Sequence, residues 1–208
     1  MKPKLLVLNG YTGNGKTILL ERLAAKGYPV IDLEKIAGHR GSIFGHIGMT
    51  LLINDRLIII YSKNYLIWST SYILIEGESK RIGKVMMPDW LDQIKEQSQQ
   101  IFIHLPIEER IRNILDDYQP WLTPDQFMEA FQLIRRRLPT PVAKEIAQHL
   151  EEQDFSQAVE LLLTYYYDSL YDYSTNYPKS QTTEIYANDI KEAEEQVEEL
   201  LLKLQQVH

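Results

Sequence analysis

The sequence predicts an α/β fold: a parallel sheet of about five strands, helices on both faces, and an inserted helical subdomain. Two observations carry this prediction. The pattern G-x-x-x-x-G-K-[ST] is met by Gly10, Gly15, Lys16 and Thr17, just after a short apolar strand and just before a helix-periodic run. Strand and helix signals then alternate, and alternation after such a loop indicates a parallel, P-loop NTPase-like sheet covered on both faces. At 208 residues the chain reads as a single P-loop domain, 1–208, with 107–173 as a helical insertion or lid.

The elements follow in order. Lys4–Leu8 is the apolar strand before the loop, and Lys16–Lys26 is the helix after it. Pro29–Leu33, Tyr72–Glu76 and Gln100–His104 are further apolar strands, and Thr183–Tyr186 is a late one. Helical periodicity fits Pro88–Ser98, Pro106–Asp117, Thr123–Leu138, Thr140–Glu152 and Phe155–Tyr166. The last helix, Asp189–Gln206, carries Ile190, Ala193, Val197, Leu200, Leu201 and Leu204 on one stripe. The polar stretch Ser174–Gln181, with Asn176, Pro178 and Ser180, reads as a mobile loop. Ligands of such sheets sit beyond the carboxyl ends of the strands, where Gly10, Asp32 and Glu76 fall.

Composition narrows the function classes. There is no cysteine, so disulfides, thiolate metal sites and persulfide or selenosulfide chemistry are excluded on these residues. Lysine and arginine number 22 against 29 acidic residues, so the net charge of −7 excludes a generic polyanion binder. Any RNA contact must come from local basic patches. No apolar run is long enough to span a bilayer and no signal peptide precedes the first strand, so a cytoplasmic protein is expected.

The loop itself reads as a phosphate site, against the alternative of a glycine-rich turn that binds nothing. Glycines let backbone N–H groups turn inward around an anion, and the following helix N-terminus adds its positive dipole end. Gly10, Gly13, Asn14, Gly15, Lys16 and Thr17 are the expected phosphate-binding residues, with Lys16 reaching terminal phosphates and Thr17 placed to ligate a magnesium ion.

Three other stretches carry chemistry. In VIDLEKIAGHRGSIFG, Asp32 closes a strand where an acid orients a metal or accepts a proton, and Glu34 is expected to cap the next segment. His39, Arg40 and Ser42 crowd an imidazole, a guanidinium and a hydroxyl together, and Arg40 suits bidentate phosphate contact. In YILIEGESKRIGK, Glu76 and Glu78 end a buried strand as magnesium-supporting carboxylates do, and Ser79, Lys80, Arg81 and Lys84 follow. A solvated charged turn is the plainer reading of that stretch. Arg135, Arg136 and Arg137 end a helix, which dipole interaction suffices to explain; a phosphate or RNA-backbone contact is the alternative. Tyr165, Tyr166, Tyr167, Tyr171 and Tyr173 serve either as core or, for Tyr166 and Tyr171, as stacking platforms for unpaired bases, with Asp168 among them.

Taken together, GYTGNGKT, IDLEKIAGHRGSIFGHIG, EGESKRIGKVMMPDWL, LPIEERI and YYYDSLYDYS resemble the C-terminal P-loop portion of tRNA 2-selenouridine synthase, over most of 1–174. The resemblance implies action on the wobble uridine of certain tRNAs. Its implied chemistry is geranyl transfer from geranyl diphosphate to 2-thiouridine, then replacement of the geranylated sulfur by selenium from selenophosphate. The carry-over falls on Gly10 through Thr17, Asp32, His39, Arg40, Ser42, Glu78, Ser79 and Arg81, with Asp32, Arg40, Glu78 and Arg81 as the expected catalytic set. Lys80, Arg135, Arg136, Tyr166 and Tyr171 join His39, Ser42 and Ser79 as expected tRNA or substrate contacts.

The family's rhodanese domain, with its essential cysteine, is absent from this sequence, which implies a separate rhodanese-domain partner for selenium transfer. The stretch MTLLINDRLIIIYSKNYLIWSTS, Met49–Ser71, also departs from the family's polar turn and helix. A locally shifted reading frame would account for it; resequencing the gene tests this hypothesis, and an error-free reading would sink it. Two other classes remain open: a small-molecule kinase binding ATP or GTP with Asp32 as base, and a nucleotide-responsive adaptor without catalysis.

Overall fold

The computed structural model describes residues 3–38, 42, 44, 71–174 and 177–206. His39 and Arg40, and all of Met49–Ser71 except Ser71, lie outside them. The chain forms two compact units: 1–10, 15–105 and 177–208 make the first, while 11–14 and 106–176 make the second.

The first unit is built on a five-stranded parallel sheet. Its strands are β1 (Lys4–Gly10), β2 (Val30–Ile31), β3 (Tyr72–Glu76), β6 (Gln99–His104) and β7 (Thr182–Tyr186), in the spatial order β2-β3-β1-β6-β7. β1 is central because its alternate residues are apolar on both faces, and Val7 and Leu8 are both fully buried. Its register pairs Leu8 with Glu76 on one side and with Ile101 on the other. One face is closed by α1 (Lys16–Ala25) and the C-terminal α9 (Ile190–Gln206), through Leu19, Leu20, Leu23, Ala193, Val197 and Leu201. The other face is closed by α2 (Leu33–Ala37), α3 (Asp89–Glu96) and a two-stranded hairpin of β4 (Arg81–Ile82) and β5 (Val85–Met86), through Leu33, Ala37, Ile82, Val85 and Leu91. The expected sheet of about five strands, helix-covered on both faces, is what forms.

The second unit is helical. It contains α4 (Ile107–Tyr118), α5 (Pro124–Ile134), α6 (Thr140–Glu151), α7 (Phe155–Leu162) and α8 (Asp168–Ser174). Its core includes Phe127, Phe131, Ile134, Ile146 and Leu150, with Ile111, Val159 and Leu163 packed together between α4 and the α7 end. The apex of the phosphate loop, Tyr11–Asn14, belongs to this unit.

Several boundaries differ from the sequence reading. The second strand is only Val30–Ile31, because Asp32 leaves the strand to cap α2, accepting the Lys35 N–H at 2.8 Å. The expected helix Thr123–Leu138 ends as α-helix at Ile134, and Arg135–Arg137 tighten into a 3-10 turn. The helix expected to stop at Tyr166 continues through a π-helical stretch, Leu163–Tyr167, into α8. Among the described residues, no helix is long and apolar enough to cross a membrane.

Candidate phosphate and carboxylate site

Within the first unit, β1 delivers the chain into the loop and α1 begins at Lys16. Gly15 caps α1 with φ 66°, a left-handed conformation that costs an L side chain strain. The Lys16 ammonium donates to the Gly10 carbonyl at 3.0 Å, folding the side chain back along the loop. Thr17 lies one residue further into α1. Its Oγ1 is 3.0 Å from Glu34 Oε2 and 3.3 Å from Glu76 Oε1.

Glu76 is the last residue of β3 and is fully buried, and its Oε2 accepts the Glu34 N–H at 3.1 Å. One ligating oxygen from each of Glu34, Glu76 and Glu78 lies within 4.8 Å of the others. Glu78 is set by its backbone, whose carbonyl accepts from the ammonium of Lys95 on α3. Lys95 is itself buried, which lowers its pKa, and Asp92 sits 3.7 Å away. Beneath the loop, Asn9 Nδ2 donates to Gln100 Oε1 at 2.7 Å, so this buried polar pair is satisfied.

The carboxylates repel one another in a dry setting. Burial first, and the Glu78 charge second, push Glu34 up to about 8. Burial first, then Glu34 and Glu78, hold Glu76 well above the ordinary carboxylate range, while the Lys16 charge opposes the rise. Burial also raises Asp32, whose Oδ2 has no hydrogen-bond partner among the described residues. A protonated Glu34 or Glu76 can donate where the ionised form only accepts, so the Thr17 hydroxyl and these carboxyls share protons in the absence of a cation. Hard oxygen donors at this spacing fit a magnesium ion, with the Thr17 hydroxyl beside them.

The other expected residues are placed as follows. Ser79 donates to the Arg81 carbonyl at 2.7 Å and Arg81 Nε to the Gly83 carbonyl at 3.1 Å, so both are tied into the exposed hairpin. Lys80 pairs with Asp89 at 2.5 Å. Ser42 occupies a bend and is half-buried. In the second unit, Arg135 donates to Gln132, and Arg136 is exposed. Tyr166 is buried, and its hydroxyl accepts from Arg137 at 3.2 Å, so its ring packs in the core. Tyr171 packs on Tyr11 at 5.2 Å between ring centroids. Gly13 has φ 83° and Asn14 is buried, both at the loop apex.

Sequence reasoning missed Glu34 as a member of the carboxylate cluster and Lys95 as the group that anchors Glu78. The signal for Glu76 was present, an acid closing the apolar run YILIE. Nothing in the sequence marks Glu34 over Asp32, because two residues of strand shortening decide which acid caps and which faces Thr17.

The parallel sheet and the strand–loop–helix at its centre define a P-loop-like α/β protein, with three carboxylates gathered around Thr17 in the first unit. The comparisons narrow this class. The tRNA 2-selenouridine synthase AAA domain matches residues 3–204, and the chain belongs to that family. It is 28% identical over 218 residues to a tRNA 2-selenouridine synthase of Nitrosomonas eutropha, covering 80% of this chain and 55% of that protein. The same function is named for a Hydrogenovibrio crunogenus protein, 32% identical over 192 residues, with 80% and 51% covered. An uncharacterized protein of Methanocaldococcus jannaschii is 28% identical over 219 residues, covering 97% of this chain and 92% of that one. The chain spans about half the length of the curated synthases it matches.

Proposed function

We propose that this chain is the phosphate-handling part of a tRNA-modifying transferase that makes 2-selenouridine at the wobble position. The observation that carries the reading is the phosphate loop with Lys16 and Thr17 set against Glu34 and Glu76, in a chain of the synthase family. In the first step, the sulfur of 2-thiouridine bonds to the geranyl C1 as the C–O bond breaks. Diphosphate leaves, and the base gives up its N3 proton. Charge grows on the departing diphosphate oxygens, and Lys16 with the N–H groups that open α1 stabilises it there. The nucleophile belongs to the RNA, which agrees with the absence of cysteine.

A magnesium ion, held by Thr17, Glu34, Glu76 and Glu78, would supply a positive charge beside the diphosphate. The chain's own contribution is to gather that acidic set beside Lys16 and to bury the Glu76 carboxyl, whose raised pKa a bound cation would draw back down. Replacement of the geranylated sulfur by selenium uses selenophosphate and a rhodanese-domain partner that brings the cysteine this sequence lacks.

The test is incubation of the purified chain with 2-thiouridine tRNA and geranyl diphosphate, followed by nucleoside chromatography. A hydrophobic shift of the thiolated nucleoside is expected. Its absence, with a full-length relative active in parallel, counts against transfer by this chain. ATP-dependent phosphorylation of a small hydroxyl compound, indifferent to tRNA, would favour the kinase class instead.

A further inference from the structure

The motif LPIEERI contributes nothing to the phosphate site by type or position in the sequence, yet its arginine reaches the loop. Arg110, on the first turn of α4, is 5% exposed. Its Nε donates to the Thr12 carbonyl at 2.9 Å. Its two terminal nitrogens grip both carboxylate oxygens of Asp168, at 2.9 and 2.5 Å, and its guanidinium lies 5.2 Å over the Tyr11 ring. One turn along the same helix face, Asn113 Nδ2 donates to the Gly13 carbonyl at 2.9 Å.

In a trans peptide the C=O and the following N–H point in opposite directions. Holding the Thr12 carbonyl therefore aims the Gly13 N–H away from α4. Holding the Gly13 carbonyl fixes the next peptide, whose Asn14 N–H closes a turn onto the Tyr11 carbonyl at 3.1 Å. Both peptide planes flanking Gly13 are thus pinned by side chains of one helix. The approach is close enough that a Cβ at Gly13 would sit 2.7 Å from the Arg110 carbonyl and 2.9 Å from Ile114 Cδ1. An anion-binding loop works when its N–H groups are turned inward before the ligand arrives, so that binding does not have to order them.

We propose that Arg110, oriented by Asp168 and seconded by Asn113, is a positioning residue that presets the Gly13 N–H at the apex of the phosphate loop, with the tyrosine-rich segment around Asp168 and Tyr171 as its support. Arg110 suits this because one planar fork serves a carbonyl and a bidentate carboxylate at once, which a lysine cannot do. The inference rests on the loop's being the phosphate site, and the experiment separates failure of the one from failure of the other.

The experiment is calorimetric titration of the full chain with inorganic pyrophosphate, well below the unfolding temperature, for the wild type, Lys16→Ala, Arg110→Lys and Asn113→Ala. A second readout is the amide chemical shift of Gly13 without ligand. Loss of binding in Lys16→Ala confirms the phosphate loop. Against that control, Arg110→Lys is expected to raise Kd about tenfold or more, as loss of a charge-assisted hydrogen bond does, with Asn113→Ala in the same direction. Both variants are expected to move the Gly13 amide. A merely structural role would lower the melting temperature and leave Kd and the Gly13 shift unchanged in the folded protein. Should Arg110→Lys fail to fold, Asn113→Ala decides. Wild-type Kd and an unmoved Gly13 amide in folded variants, while Lys16→Ala loses binding, would overturn the proposal. If Lys16→Ala instead binds like the wild type, the phosphate-site reading fails, and an unmoved Gly13 amide then overturns the positioning role on its own.

Discussion

Replacing Glu34 by glutamine should make the cation-free protein more stable at pH 8 than the wild type. Glu34 is held up to about 8 from an ordinary 4.5, chiefly by burial. Between those values the folded protein keeps a proton that the unfolded chain has released, so stability falls as pH rises. The contribution is full below pH 4.5 and lost as pH passes through about 8. At about 1.4 kcal/mol per pH unit, the interval corresponds to about 5 kcal/mol. Partial exposure of the Glu34 side chain reduces this to roughly 2–4 kcal/mol. Glutamine keeps an acceptor oxygen for the Thr17 hydroxyl, so the hydrogen bond survives while the charge does not. Thermal unfolding between pH 5 and 9, in chelator, measures it. Wild type and Glu34→Gln should diverge as pH rises, by about 5–10 °C at the alkaline end. Parallel curves would refute the claim that Glu34 is a buried, charge-strained carboxyl.

Further outcomes follow from the same geometry. A magnesium ion competes with the shared protons of Glu34 and Glu76, so the rise in melting temperature on adding magnesium should grow from pH 6 to pH 8.5; a pH-independent rise would argue against the cluster. Gly13→Ala meets both a φ of 83° and a 2.7 Å clash with the Arg110 carbonyl, and should destabilise the helical unit by about 1–3 kcal/mol in denaturant melts. Leu20→Ala empties a fully buried site between α1 and the sheet and should cost about 2–5 kcal/mol by the same assay.

The sheet was legible because its signals are local. The run LLVL before a phosphate loop and YILIE before a charged turn leave no other use for so many consecutive apolar residues. The stripe Ile190, Ala193, Val197 and Leu201 likewise fixed the face that α9 buries. The hairpin at Arg81–Met86 was not legible, because its two-residue strands are shorter than a period-two pattern needs. Glu34 and Asp32 exchanged expected roles because the capping choice depends on where a two-residue strand stops. Arg110 and Asn113 were invisible as loop partners, since only the fold brings residues about a hundred positions apart into contact. Composition left Tyr166 open between core and stacking platform, and its burial places it in the helical core.

The most direct measurement of the central claim is calorimetric titration of geranyl diphosphate, ATP and GTP against the wild type and Lys16→Ala, each with and without 2-thiouridine tRNA. Geranyl diphosphate is expected to bind more tightly than either nucleotide, tRNA to strengthen this binding, and Lys16→Ala to abolish it. Tight ATP or GTP binding that ignores tRNA, with no heat from geranyl diphosphate, would contradict it.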